Sequence, residues 1–315
     1  MSLPRIGITL GDPGGIGPEV VLKSLSDRTR VPAAEYVVFG SLAILEDAER
    51  LIGLRLDRTK LTIRDIPYPR RAAKKGAPDK DNGAASFRYF RAAVESARTG
   101  DLTAIVTAPV SKLSWGLAGI SWRGHTDYLE QFYPDAVMTF WSEAMKVALL
   151  SHHRPLKEAI ALVTRRNCAR FFRVLRVGVE KIRPGTFEFL VAGLNPHAGE
   201  DGLLGNEEKE ALIPAVDEAR ASGMKISGPY PPDVVFRGAL GHPERIVVAL
   251  YHDQGLIPFK MAAFESGVNA TLGLPFVRTS PDHGTAFDIA GKNQADPESL
   301  REAIRWAGEL SPGVF

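Results

Sequence analysis

Cysteine is almost missing from this chain: Cys168 is the one example in 315 residues. An intrachain disulfide is therefore excluded, and so is a zinc site built from thiolates alone. Long apolar runs are missing too, since no stretch approaches the ~18 uninterrupted apolar residues of a membrane-spanning helix. The opening MSLPRIGITLGDPGG breaks its short apolar run with glycines and an aspartate, unlike a secretory signal. A reducing, cytoplasmic setting is the expectation. Net charge is nearly absent, with Lys+Arg 39 against Asp+Glu 37, which removes the electrostatic case for a nucleic-acid partner. An anionic small molecule stays open, because a few local cations suffice for one phosphate.

The composition is that of a soluble globular protein, 44% hydrophobic and 24% charged, of a length that suits roughly two domains. Short β-branched runs alternate with helical patterns. Arg5 to Leu10, Tyr36 to Phe39, Ala104 to Thr107, Val147 to Leu150, Phe187 to Ala192 and Ile246 to Tyr251 read as strands. Helices are predicted from Pro18 to Leu25, Leu42 to Leu51 and Ser86 to Arg98, and near 164–181 and 206–222. This alternation predicts an α/β fold with largely parallel pairing, its functional groups gathered where strands end. Pro67 to Lys80 reads as a solvated basic loop. No linker separates two halves, so a second domain is expected to be interleaved with the first.

Gly11-Asp12-Pro13-Gly14-Gly15-Ile16-Gly17-Pro18 follows a strand and opens a helix. It lacks the lysine of a P-loop and, with Val20 in place of a third glycine, the dinucleotide fingerprint. A tight turn and an anion-facing loop are both open readings.

Seven histidines are present, and His153, His197, His252 and His283 stand at strand ends beside turn formers. His153, His197 and His252 are 44 and 55 residues apart, too far for a zinc finger but suited to a catalytic site assembled from separate strands. Three imidazoles with an open fourth position describe a Lewis-acidic metal site; hydrogen-bonded structural histidines are the other reading. Asp253 is placed to orient His252 or to act as a base, and Asp233 is either an acid/base group or a turn cap. Lys260, Asn269 and Arg278, nine residues apart at each step, would suit a phosphate, with His125 and Thr126 adding an imidazole and a hydroxyl. Surface charge and a capping threonine would explain the same residues.

Six blocks carry a resemblance: GITLGDPGGIGPEV, VTAPVSK, GHTDYLE, GLNPHAGEDGLLGNEE, YHDQGLIPFK and GVNATLGLPFVRTSPDHGTAFDIAG. Together they resemble the PdxA family, the 4-hydroxythreonine-4-phosphate dehydrogenases of vitamin B6 synthesis, from about Ile6 to Asp296. The resemblance implies two α/β/α domains like isocitrate and isopropylmalate dehydrogenases, here 1–127 with 267–315 (cofactor side) and 128–266 (metal and dimer side). It implies a homodimer whose active site lies in an interdomain cleft and is shared between subunits. One divalent metal, zinc first with magnesium or cobalt as alternatives, would be held by His153 (rather than His152), His197 and His252, one ligand coming from the second subunit. Substrate binding maps onto His125, Thr126, Lys260, Asn269 and Arg278, and the catalytic candidates are Asp253, Asp233 and Lys260. HGTAFDIAG also resembles the adenosine loop of isopropylmalate dehydrogenases, which gives His283, Gly284, Thr285 and Asp288, with Gly11 and Asp12, as NAD contacts.

The implied reaction is NAD-dependent oxidation of 4-phosphooxy-L-threonine to 2-amino-3-oxo-4-phosphooxybutanoate, which decarboxylates to 3-amino-2-oxopropyl phosphate. Relatives acting on D-threonate or D-erythronate 4-phosphate share these motifs. A phosphotransacylase-like transferase would need neither the three histidines nor the HGTAFDIAG loop. The chain departs from the family's usual Thr-Thr-His-Leu with Ser151-His152-His153-Arg154.

Overall fold

The computed structural model describes residues 3–70 and 72–311. The chain forms two compact units, Met1–Pro134 with Leu274–Phe315, and Asp135–Gly273. The chain opens with β1 (Arg5–Thr9), α1 (Gly17–Ser26), β2 (Glu35–Gly40), α2 (Leu42–Ile52), β3 (Leu61–Asp65), α3 (Lys80–Arg98), β4 (Ala104–Thr107), α4 (Lys112–Leu117) and α5 (His125–Glu130). It passes into the second unit through β5 (Val137–Trp141), β6 (Lys146–Leu149), α6 (Leu156–Ala161), α7 (Arg165–Glu180), β7 (Glu188–Ala192), α8 (Ile213–Ala221), β8 (Ile226–Tyr230), α9 (Val235–Ala239), β9 (Arg245–Ala249), α10 (His252–Ala263) and β10 (Val268–Leu272). It returns to the first with β11 (Val277–Pro281) and α11 (Glu298–Glu309). Both units are α/β.

In the first unit the strands run β3-β2-β1-β4-β11, all parallel. In the second the order is β10-β5-β6-β9-β7-β8. There β6, β9, β7 and β8 are parallel, while β5 is antiparallel to both β10 and β6. The antiparallel β5–β6 step follows from a tight link: the Ser142 N–H donates to Met145 O at 3.0 Å, and Ser142 Oγ accepts from the Met145 N–H at 3.0 Å. Met138, Phe140, Val147, Leu149, Val247 and Phe259 lie in the core of this unit, all at most 3% exposed.

Two helices differ from the sequence expectation. α3 begins at Lys80 rather than Ser86, because Asp79 Oδ1 caps it, accepting from the Asp81 and Asn82 N–H groups at 2.9 and 3.3 Å. The apolar face that marks the helix in sequence starts only after this polar turn. The helix expected over 206–222 is regular only from Ile213. Pro214 has no N–H to give, and Glu208–Leu212 forms a wider turn ahead of it.

The basic loop is also more than solvated. Tyr68 is buried and its hydroxyl donates to Asn82 Oδ1 at 2.6 Å, while Asn82 Nδ2 donates to Lys74 O at 2.7 Å. The Gly76 N–H donates to Gly14 O at 3.0 Å, so the loop is stitched to the glycine turn; Arg71 lies outside the described residues.

That turn is filled by the chain itself. A Cβ on Gly11 would lie 2.4 Å from Pro109 O, and its φ is +67°. Gly11→Ala is therefore expected to cost about 2 kcal/mol or more through left-handed backbone and overlap with rigid main chain. Thermal unfolding checks this: a melting temperature within a degree of the parent's would contradict it.

Candidate functional site

Parallel pairing of β6, β9 and β7 puts their C-terminal ends at one edge of the sheet. His153 lies four residues past the end of β6, His197 five past β7 and His252 three past β9. Side-chain bonds tie these three exits together. Ser151 Oγ donates to Leu250 O at 2.8 Å. Gln254 Oε1 accepts from the Leu250 N–H and its Nε2 donates to Gly193 O, both at 2.7 Å.

The rings of His153 and His252 have centres 5.6 Å apart. Two imidazole nitrogens at ~2.0–2.1 Å from one tetrahedral dication place the ring centres about 5 Å apart, so the pair fits a shared metal. Asp253 Oδ1 lies 2.7 Å from His252 Nδ1. A carboxylate accepts only, so Nδ1 carries the proton and the Nε2 lone pair is the available donor to a metal. His152 packs edge-on to His153. His197 is exposed on a different turn, and among the described residues no three His, Cys, Asp or Glu side chains converge closely enough to hold a metal. The chain thus brings two of the three expected ligands together.

Backbone strain collects at the same residues. Of the non-glycine residues with positive φ, His153 is one, and His197, Ala198, Glu200 and Asp201 are four more. Each left-handed residue costs roughly 1–2 kcal/mol. Such conformations persist where the surroundings enforce them, commonly at functional sites.

The second cluster is in the first unit. Arg278 on β11 faces Ile105 of β4 in register, which brings its guanidinium to Thr107 one pleat further along. Its Nη2 and Nε donate to Thr107 Oγ1 at 2.8 and 3.2 Å, and Nη2 to His125 Nδ1 at 3.3 Å. Burial lowers the Arg278 pKa to about 10. His125 is packed edge-on against Phe90 at 4.5 Å and Trp115 at 5.7 Å. Burial first, then the Arg278 charge, hold it well below the usual histidine range. A guanidinium only donates, so His125 Nδ1 must accept and Nε2 carries the hydrogen. That Nε2 is buried without a partner among the described residues. A buried cation beside a neutral N–H with no acceptor is a ready anion site.

A depressed histidine pKa means the unfolded chain takes up the proton first. The stability it contributes is whole above about pH 6.5 and declines as pH falls below that, by about 1.4 kcal/mol per pH unit. Urea midpoints between pH 7 and 5 should fall steeply in the parent and less steeply in His125→Gln. Parallel curves would refute the assignment.

The remaining candidates are placed as follows. Thr126 is in the first turn of α5, Lys260 near the end of α10, and Asn269 on β10 with Oδ1 buried and unpartnered among the described residues. Asp233 is exposed in the turn before α9, and Asp253 is 72% exposed. Asp12 is fully buried. Its Oδ1 accepts from the Gly14 N–H at 2.9 Å, and burial raises its pKa. With Gly11 it shapes a turn whose Ile16 N–H donates to Thr285 O at 3.0 Å, while a Cβ on Gly15 would meet Thr285 O at 2.7 Å. On either side of Thr285 the loop is open: nothing crowds Gly284, Asp288 is exposed, and His283 Nδ1 donates to Gly284 O, leaving a buried Nε2 acceptor without a partner among the described residues. An acceptor of that kind fits a cofactor hydroxyl. Sequence reasoning missed Thr107, Asn195, Gln254 and Glu208. Each acts through a hydrogen bond to distant chain, and the only local hint was their place inside the motif blocks.

The family described as pyridoxal phosphate biosynthetic protein PdxA matches residues 32–307. A 4-hydroxythreonine-4-phosphate dehydrogenase of Aquifex aeolicus is 42% identical over 324 residues, covering 97% of this chain and 98% of its own. A D-threonate 4-phosphate dehydrogenase of Salmonella typhimurium is 38% identical over 328 residues, covering 99% of this chain and 100% of its own. The crystal structure of a 4-hydroxythreonine-4-phosphate dehydrogenase from Klebsiella pneumoniae has a TM-score of 0.87 at 34% identity and covers 98% of each chain. No helix among the described residues is long and apolar enough to cross a membrane.

Proposed function

Because this chain belongs to the PdxA family and is thereby a dehydrogenase, we propose that it oxidises 4-phosphooxy-L-threonine with NAD. The observation that carries this reading is the approach of His153 and His252 at the ends of parallel strands, with Asp253 fixing the tautomer of His252. A dication held by His153, His252 and His197, one of the three coming from the second subunit of a dimer, would supply a Lewis acid that acidifies the substrate alcohol, and NAD bound by His283, Gly284, Thr285 and Asp288 the hydride acceptor. Arg278 and the His125 Nε2–H bind the phosphate, joined by Thr126 and Lys260, and so fix the orientation of the reacting carbon. The buried Asn269 Oδ1 accepts from a substrate N–H or O–H. Asp253 is committed to His252, which leaves Asp233 to take the alcohol proton. The β-keto acid product, 2-amino-3-oxo-4-phosphooxybutanoate, then breaks its bond to the carboxylate. Loss of CO2 leaves the electron pair on the former α-carbon, and protonation gives 3-amino-2-oxopropyl phosphate.

The Salmonella typhimurium relative supports a second reading, oxidation of D-threonate 4-phosphate. NADH formation at 340 nm with 4-phosphooxy-L-threonine, D-threonate 4-phosphate and D-erythronate 4-phosphate separates the two. The amino acid should be turned over most efficiently. NADH from a sugar acid alone would transfer the assignment to it.

The reading includes a homodimer in cytoplasm. Exposed apolar side chains support it and follow the histidines in sequence: Leu156 and Ile160 after His153, Leu203 after His197, and Ile257, Met261 and Phe264 along the helix that His252 opens. Met261 and Phe264 are 85% and 76% exposed, more than a monomer leaves bare without reason. Met261→Asp with Phe264→Asp should halve the mass seen by light scattering and remove activity. A parent protein that is already monomeric would refute the dimer.

A further inference from the structure

The turn carrying His197 has no capping side chain at its start and runs on left-handed backbone from His197 to Asp201. Gly199, and to a lesser degree His197 and Asp201, suit that path, but Ala198 and Glu200 do not. Backbone bonds from Ala198 to Asn195 O, Leu203 to Glu200 O and Leu204 to Gly199 O close the turn, Lys209 Nζ donates to Asp201 O, and one carboxylate from further along the chain holds its entry. Glu208 is 2% exposed. Its Oε1 accepts from the backbone N–H groups of Leu194 and Asn195, both at 2.8 Å, and its Oε2 from Asn195 Nδ2 at 2.9 Å. Glu207 Oε2 accepts from the same amide at 2.8 Å. The main chain is wrapped closely round the Glu208 carboxylate: a Cβ on Gly199 would lie 2.8 Å from Oε2, and one on Gly193 3.3 Å from Oε1. Its hydrogen-bond donors are neutral amides on the residues that lead into His197.

The structure assigns Glu208 as a positioning residue: its buried carboxylate fixes the left-handed turn that presents the His197 imidazole, without itself touching substrate or metal. Two properties support this. The wide turn Glu208–Leu212 that precedes α8 sets the carboxylate against the exit of β7. An acceptor with two oxygens also clamps the backbone and the Asn195 side chain together, which a single hydroxyl cannot do. Groups hydrogen-bonded to a metal-binding histidine typically change metal affinity 10–100-fold when removed, which bounds the effect of a carboxylate acting through the backbone that leads into the ring. The assignment rests on the reading of His197 as a metal ligand, so its test must separate the two ideas.

The test compares Glu208→Gln, Glu208→Ala, Asn195→Ala and His197→Ala with the parent. Zinc affinity is read by chelator competition, unfolding without metal by calorimetry, and kcat and KM from NADH formation. Glu208→Gln keeps one oxygen for the two backbone N–H groups but cannot accept from Asn195 Nδ2. Zinc affinity is expected to fall about 10–100-fold in Glu208→Ala and less in Glu208→Gln, with kcat reduced more than KM changes. If Glu208→Ala does not fold, Glu208→Gln and Asn195→Ala decide, and parent-like zinc affinity in both overturns the proposal. A variant that loses melting temperature but keeps zinc affinity and kcat makes Glu208 a structural plug and also overturns it. His197→Ala provides the separation: parent-like zinc binding there removes the ligand reading itself. Weakened binding in His197→Ala beside unchanged binding in folded Glu208 variants removes only the positioning role.

Discussion

His252→Ala is expected to lower NAD-linked turnover by about 10³-fold or more, equivalent to about 4 kcal/mol of lost transition-state stabilisation. Asp253 holds the Nδ1–H at 2.7 Å, so the whole donor capacity of this ring lies at Nε2, and alanine removes it. The His252 side chain is 37% exposed, so its loss should move the melting temperature little. NAD affinity should also stay close to the parent's, because the residues read as its contacts lie in the other unit. Steady-state kinetics with dialysed and zinc-supplemented enzyme, together with NAD titration, make the check. Full activity in a metal-stripped His252→Ala enzyme would end the metal reading.

Removing the Arg278 charge is expected to separate stability from activity. At 4% exposure, and with burial taking its pKa from 12.5 down to about 10, the cation costs the free protein about 3 kcal/mol at neutral pH. The sign is that of a base with a depressed pKa. The unfolded chain holds the proton more tightly, so the cost is complete below about pH 10 and lifts only as pH rises through that value. Arg278→Met fills much the same volume without a charge and should leave the melting temperature without substrate unchanged or a few degrees higher. Its kcat/KM should nevertheless fall about 10²–10³-fold, mostly through KM, because a charge-assisted contact to phosphate is lost in a dry site. Arg278→Lys should recover little: an ammonium on a flexible stem does not reproduce the guanidinium fork seated on Thr107. A clear drop in melting temperature for Arg278→Met with KM intact would mean the residue is structural.

Both clusters were legible in sequence as residue types at strand ends, because β6, β7 and β9 are short apolar runs that give way within a few residues to turn-forming and polar side chains. The alternation also exposed the α/β class and β1, β2 and β4. β5 and β10 were not legible: they run antiparallel, and their apolar stretches resemble buried helix as much as strand. The start of α3 was hidden because Asp79 caps a turn with no apolar side chains facing the core. The wide turn before α8 was hidden because its cause, Pro214, reads as an ordinary first-turn proline. Spacing pointed to His153, His197 and His252 but could not show that the first and last rings meet while the middle one is held apart. The turn that carries His197 runs on left-handed backbone, which has no periodic signature. The glycine-rich opening allowed a ligand-facing loop, whereas Pro109, Asn82, Lys74 and Thr285 occupy the space that its glycines leave.

The return of the chain to its first unit has a consequence during synthesis. Residues 135–273 emerge as one continuous unit, free to close as soon as β10 has left the ribosome. The first unit waits for β11, which completes its sheet beside β4, and for α11, which ends at Glu309. At ~5–20 residues per second, the nine residues from Leu272 to Pro281 keep the edge of β4 uncovered for about 0.5–2 s longer. The arginine that completes the anion site is thus among the last functional groups to be installed on the nascent polypeptide.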